Sequence, residues 1–145
     1  MLVLIDTSVY LRVLLDADFA EAAEPALRRL GPGIRLSSVV RAELTQGARG
    51  AAGRALVDTL TGRLEQTGRV VTPSHDDWRV AATVQSKIWD AHSTLRTKRL
   101  LNDLLIACAA RRVGAVLVTL DGRDFSMIDR WLETTRVDAD ELLRL

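Results

Sequence analysis

Met1-Leu2-Val3-Leu4-Ile5-Asp6-Thr7-Ser8 opens the chain with five apolar residues stopped by a carboxylate. A continuous apolar run of this length, closed by an acid, predicts a strand buried on both faces. Such strands belong to parallel sheets covered by helices, and ligands of open parallel sheets bind beyond the carboxyl ends of the strands. Asp6 therefore falls at the sheet edge where chemistry is expected.

Outward from that stretch, helical patterns alternate with short apolar runs. The spacing predicts helices over Thr7–Leu15 and Phe19–Leu30, the second ended by Gly31-Pro32-Gly33. A short strand follows over Ile34–Leu36, and Ser37 and Ser38 can cap a helix that carries Val39, Val40, Glu43 and Leu44. Further helices are predicted over Ala51–Gln66, after the Ser74-x-x-Asp77 capping pattern, and over Asn102–Arg112, which is apolar almost all round. Strands are expected over Arg69–Thr72, Ala115–Leu120 and Thr134–Val137, with a short helix from Asp138. Strands separated by helices imply parallel pairing in an α/β sandwich.

The 145 residues, 48% hydrophobic and 27% charged, suit one domain with a sizeable core and argue against disorder. No apolar run approaches the ~20 residues that span a bilayer. Met1–Ile5 has no basic leader, so no signal peptide is expected. The lone cysteine, Cys108, lies in an Ala- and Leu-rich stretch as a packed thiol, and the cytoplasm is the expected compartment. A net charge of +1 gives no general attraction to nucleic acid, so any affinity for it must come from local arginines and metal ions.

Four acids depart from their surroundings. Asp6 and Asp121 each follow a predicted strand, Glu43 shares the core-facing side of its helix with Val39 and Val40, and Asp103 opens the most apolar helix. Each admits a plainer role: Asp6 as a helix cap, Asp121 as the start of a turn through Gly122, Asp103 as a helix-dipole acid, Glu43 as a solvated one. Together they are more specific. Crowded carboxylates repel one another and take up protons, whereas a hard divalent cation offsets that repulsion and accepts oxygen ligands. With two ions about 3.5–4 Å apart, both the attacking and the leaving oxygen of a phosphodiester are clamped. Metal-assisted phosphodiester hydrolysis is the chemistry this pattern suits.

Asp6-Thr7-Ser8 after an apolar strand, Ser38-Val39-Val40-Arg41-Ala42-Glu43-Leu44, Asp103-Leu104-Leu105-Ile106-Ala107, and Thr119-Leu120-Asp121 with Asp124-Phe125 resemble PIN-domain nucleases. In order and spacing they are most similar to the VapC-type toxins of bacterial toxin–antitoxin modules. The resemblance covers essentially the whole chain, residues 1–145, as a single PIN domain. It implies a three-layer α/β/α sandwich around a parallel sheet of about five strands, with Mg2+ or Mn2+ in an acidic pocket. It further implies endonucleolytic cleavage of structured RNA of the tRNA or rRNA class. A homodimer, a small antitoxin that fills the groove, and operator DNA bound only through the antitoxin complex are implied as well. By position, Asp6, Glu43 and Asp103 match the three core acids and Asp121 the fourth, with Asp124 competing for that place. Thr7, Asn102 and Thr119 stand where side chains would orient the carboxylates.

The basic stretch with Arg96, Lys98 and Arg99 is read either as a phosphate-contacting rim or as an exposed loop. Arg111 and Arg112 are expected to complement their helix C-terminus. Trp78 and Trp89 are expected in the core or at a dimer interface rather than stacking bases, and His75 and His92 show no metal-ligand spacing. Hydrolases of the haloacid dehalogenase type carry a second Asp where this chain has Ser8. Receiver domains need an acidic pair and a late lysine after a strand, and Lys87 and Lys98 fit neither. Two alternatives within the same fold are a PIN nuclease of RNA processing and a catalytically silent binding module. The presence of all four acids speaks against the silent one.

Overall fold

The computed structural model describes residues 1–95 and 100–144. Strand β1 (Leu2–Ile5) leads through α1 (Thr7–Leu15) and α2 (Ala17–Leu30) to β2 (Ile34–Ser37). Helices α3 (Ser38–Gly47) and α4 (Gly50–Gln66) lead to β3 (Val70–Val71), and α5 (His75–Ala91) and α6 (Leu101–Val113) to β4 (Ala115–Thr119). Then come α7 (Gly122–Ile128), β5 (Arg136–Asp138) and α8 (Ala139–Leu142).

The five strands form one parallel sheet in the order β3-β2-β1-β4-β5. Right-handed crossovers put the helices after β1 and β2 on one face and those after β3 and β4 on the other, the expected three layers. The path turns back between β1 and β4, so the switch point of the sheet lies at their carboxyl ends. β1 and β4 pair over four residues, Leu2 with Ala115 through Ile5 with Val118. The backbone N–H of Asp6 continues the ladder to the Val118 carbonyl at 2.9 Å.

The core follows the apolar pattern. Val3, Leu4 and Ile5 are buried, as is every residue of α6 from Leu104 to Ala110. Cys108 is among them, and burial raises its thiol pKa to about 11. Gly114, at φ +66°, ends α6 in the left-handed conformation glycine adopts without strain. Gly33 is required for another reason: a Cβ there would stand 2.0 Å from the Met1 carbonyl oxygen, where β2 meets the start of β1. Among the described residues, no helix is long and apolar enough to cross a membrane.

Several expectations shift. α2 begins at Ala17 because Asp16 caps it, accepting from the Phe19 N–H at 3.0 Å. β5 runs Arg136–Asp138 rather than Thr134–Val137, since pairing with β4 sets so short a strand. α7 was not expected at all. Arg112 does not serve its own helix end: Nε donates to Asp77 Oδ2 at 2.8 Å and Nη2 to the Thr72 carbonyl at 2.8 Å, tying α6 to the capping box of α5. Trp78 lies half exposed, outside the core.

Candidate metal centre

Asp6 leaves β1 at the N-cap position of α1, yet its side chain makes no capping hydrogen bond. Its Oδ2 accepts instead from Ser8 Oγ at 2.7 Å and from Thr119 Oγ1 at 2.9 Å. Each hydroxyl has one proton and spends it on Asp6, so each must offer a lone pair to any further partner. Ser8 Oγ accepts the Leu120 N–H at 3.1 Å and Thr119 Oγ1 accepts the Asp121 N–H at 2.9 Å. Two backbone amides leaving β4 are thereby relayed through two hydroxyls onto a single carboxylate oxygen. Asp6 is 5% exposed and Thr119 1% exposed, so this wall of the site is fixed and nearly dry.

Glu43 lies half-buried on α3, one turn after the fully buried Val40. Thr7, the first residue of α1, donates its hydroxyl to Glu43 Oε1 at 2.8 Å. Ser37 caps α3 by accepting the Val39 N–H at 3.2 Å, which aims this helix away from the end of β2.

Asp103 sits in the first turn of α6, three residues past the buried Leu100. Asp121 caps α7, accepting the Asp124 N–H at 3.3 Å, and Asp124 rides the first turn of that helix. One oxygen from each of Asp103, Asp121 and Asp124 lies within 4.8 Å of the others, a spacing a single cation can bridge. Burial raises the Asp103 pKa to about 7, reinforced in turn by the charges of Asp6, Glu43, Asp121 and Asp124. All four other acids thus converge on Asp103. An acid held half-protonated near neutrality among four carboxylates is a donor set that a hard divalent cation fits: it replaces the proton and offsets the repulsion.

The geometry brings Asp121 and Asp124 into the group together rather than one in place of the other. Asp6 and Glu43 lie outside the tight trio, close enough for their charges to act on Asp103. Asn102 is exposed, and among the described residues no hydrogen bond joins it to these acids. Arg96, Lys98 and Arg99 lie outside the described residues. Ser8 is the partner of Asp6 that the sequence reading left without a role, although a hydroxyl two residues past a strand-end acid is well placed to reach back to it.

The chain thus carries its carboxylate cluster at the switch point of a parallel α/β sheet. The model of the PIN domain matches residues 3–130, and the chain belongs to the PIN-domain family, whose members are nucleases. No curated protein matches the chain in sequence. Among solved structures, VapBC-1 of nontypeable Haemophilus influenzae is similar at 23% identity and TM-score 0.66, over 97% of this chain and 99% of that one. A DNA-bound VapBC of Salmonella typhimurium is similar at 22% identity and TM-score 0.65, over 96% and 99%. Promoter-bound VapBC2 of Rickettsia felis is similar at 21% and 0.62, over 95% and 98%. At these identities the likeness is one of fold.

Proposed function

We propose that this chain is a divalent-metal-dependent endoribonuclease that acts as the toxin of a VapC-type toxin–antitoxin pair. The observation that carries the metal-dependent part is the gathering of one oxygen each from Asp103, Asp121 and Asp124 within 4.8 Å, with Asp6 and Glu43 near enough for their charges to act on Asp103. Asp103, Asp121 and Asp124 would hold Mg2+ or Mn2+, with Asp6 and Glu43 completing the negative pocket. When bound, the cation supplies Lewis-acid polarisation of a phosphodiester and stabilises charge on the departing oxygen.

The chain's own residues do the rest. Asp103 would hold the cation as a carboxylate, the charge of the ion offsetting that of its four neighbours. Ser8 and Thr119 hold Asp6 so that its carboxylate does not swing when charge arrives, and Thr7 holds Glu43 likewise. The hydrolysis adds water to phosphorus, breaks one P–O bond, and returns a proton to the departing ribose oxygen. Carboxylates at the sheet edge are placed to take the proton that the water loses.

Structured RNA of the tRNA or rRNA class as substrate, and a homodimer, are supported by the resemblance of the four motifs. The similar solved structures are VapBC complexes, two of them bound to DNA, which supports a small antitoxin partner and operator binding through the complex. The test is incubation of the purified chain with total RNA and MnCl2, read by sequencing of the new 5′ ends. Discrete cuts that vanish in excess EDTA are expected, and undiminished cutting in EDTA would overturn the metal-dependent reading. Induction of the chain alone should arrest growth, with rescue by a small protein encoded beside it. Harmless expression of an active nuclease would favour RNA processing over a toxin role.

A further inference from the structure

We propose that Arg136 is the positioning residue for the α7 wall of the cation site, an inference that rests on the metal-site reading above. Arg136 opens β5, opposite Leu117 of β4, and its side chain is only 22% exposed. Nη1 donates to the Gly122 carbonyl at 3.1 Å. Nη2 donates to Asp129 Oδ2 at 3.0 Å and to Ser126 Oγ at 3.4 Å. Gly122 is the first residue of α7, Ser126 the fifth, and Asp129 the residue that closes it. One guanidinium therefore grips the helix along its whole length from the neighbouring strand.

The grip matters because of what α7 carries. A seven-residue helix has little stability of its own, and this one holds Phe125 and Ile128 in the core while presenting Asp121 and Asp124 at its start. Two of the three oxygens in the tight trio thus depend on where α7 sits. Asp129 is fixed in turn by the Thr134 hydroxyl, which donates to Oδ1 at 2.7 Å, so the anchor for Arg136 is itself held. Only a planar fork reaches a carbonyl and a carboxylate at once, and a lysine reaches one of them.

A direct contact between Arg136 and a substrate phosphate is the competing role. The cleft beside it is lined by Thr119, Gly122, Ser126, Asp138 and Glu141 as well as Arg136. Two carboxylates lining the cleft, and a third bound to the guanidinium, make it a poor seat for a phosphate. The positioning role is the one the charges favour.

The experiment uses the full chain and its Arg136→Gln, Arg136→Lys and Asp129→Asn variants. Mn2+ affinity is measured by calorimetry with MnCl2, and RNA affinity in EDTA across a salt series. Arg136→Gln should weaken Mn2+ binding by about 10- to 100-fold, with Arg136→Lys and Asp129→Asn intermediate and RNA affinity in EDTA unchanged. Unchanged Mn2+ affinity in the folded Arg136→Gln chain overturns the inference. So does lowered RNA affinity with a shallower salt slope and intact Mn2+ binding, which would make Arg136 a phosphate contact. If Arg136→Gln does not fold, Asp129→Asn decides, because it leaves the Gly122 hydrogen bond in place. A wild-type chain that binds no Mn2+ overturns the metal-site reading itself, and this inference with it, a result distinct from the other two.

Discussion

Thr119 Oγ1 donates to Asp6 Oδ2 at 2.9 Å and itself accepts the Asp121 N–H at 2.9 Å. The hydroxyl joins the acid at the end of β1 to the backbone that leaves β4. Replacing it by an isosteric methyl leaves a buried carboxylate short of a donor and a backbone N–H short of an acceptor. Thr119→Val should therefore cost about 2–3 kcal/mol of stability, measured by urea denaturation in EDTA. A cost within about 0.5 kcal/mol, the usual range for surface changes, would mean that Ser8 alone holds Asp6.

Asp103→Asn should abolish metal-dependent cleavage while the fold persists. The loss expected is at least about 100-fold, beyond that of an outer partner of a metal ligand. The variant should also lose the rise in unfolding temperature that MnCl2 gives the wild type. Wild-type cleavage by a purified, folded Asp103→Asn chain would remove Asp103 from the site.

Stability should depend on pH through Asp103. Its carboxyl titrates near 3.8 when unperturbed and is raised to about 7 in the folded chain. Between those values the folded chain keeps a proton that the unfolded chain has released, so this group's contribution falls as pH rises from about 4 to about 7 and levels off above. Thermal melts in EDTA should show the wild type losing ground to Asp103→Asn across that window, and MnCl2 should reverse the trend. A difference between the two chains that stays flat with pH would show that Asp103 has an ordinary carboxyl.

Thr7→Val removes the donor to Glu43 and little else, since Thr7 is only partly buried. Cleavage should fall by about 10-fold, with a stability change below about 1.5 kcal/mol. Cleavage at the wild-type rate would place Glu43 outside the chemistry.

Gly33→Ala should be costly although Gly33 has an ordinary φ, because the new methyl meets the Met1 backbone. A cost of about 3 kcal/mol, the upper range for overpacking, is expected by denaturation. An unaffected midpoint would mean that the β1–β2 register gives way freely.

β1, α6 and β4 were legible because each is an apolar run too long and too uniform for a surface element, with an acid placed against it. Asp6, Asp103 and Asp121 were found through that contrast. α7 was not found, although Asp121-x-x-Asp124 before Phe125 and Ile128 follows the same capping logic that located α5 at Ser74 and Asp77. The helix is only two turns long, and a Gly after an Asp reads more readily as a turn. With α7 missing, Asp121 and Asp124 looked like rivals instead of neighbours on one cap. Arg136 was out of reach altogether, for its partners lie 7 to 14 residues back and meet it only once β5 has paired. The short β5 carries charge at both ends, and its position is set by β4 rather than by its own pattern.

The bond from Thr119 to Asp6 spans 113 positions of the chain, which sets how late in synthesis the site can be completed. Neither the hydroxyl that steadies Asp6 nor the two acids of α7 exist until most of the polypeptide has been made. The central pair of strands cannot zip before then either, and long-range pairing of this kind is slow. A chain broken off before β4 therefore carries three of the acids with nothing to gather them. The acidic edge of the sheet is therefore completed late in synthesis, after β4 and the start of α7 have been made.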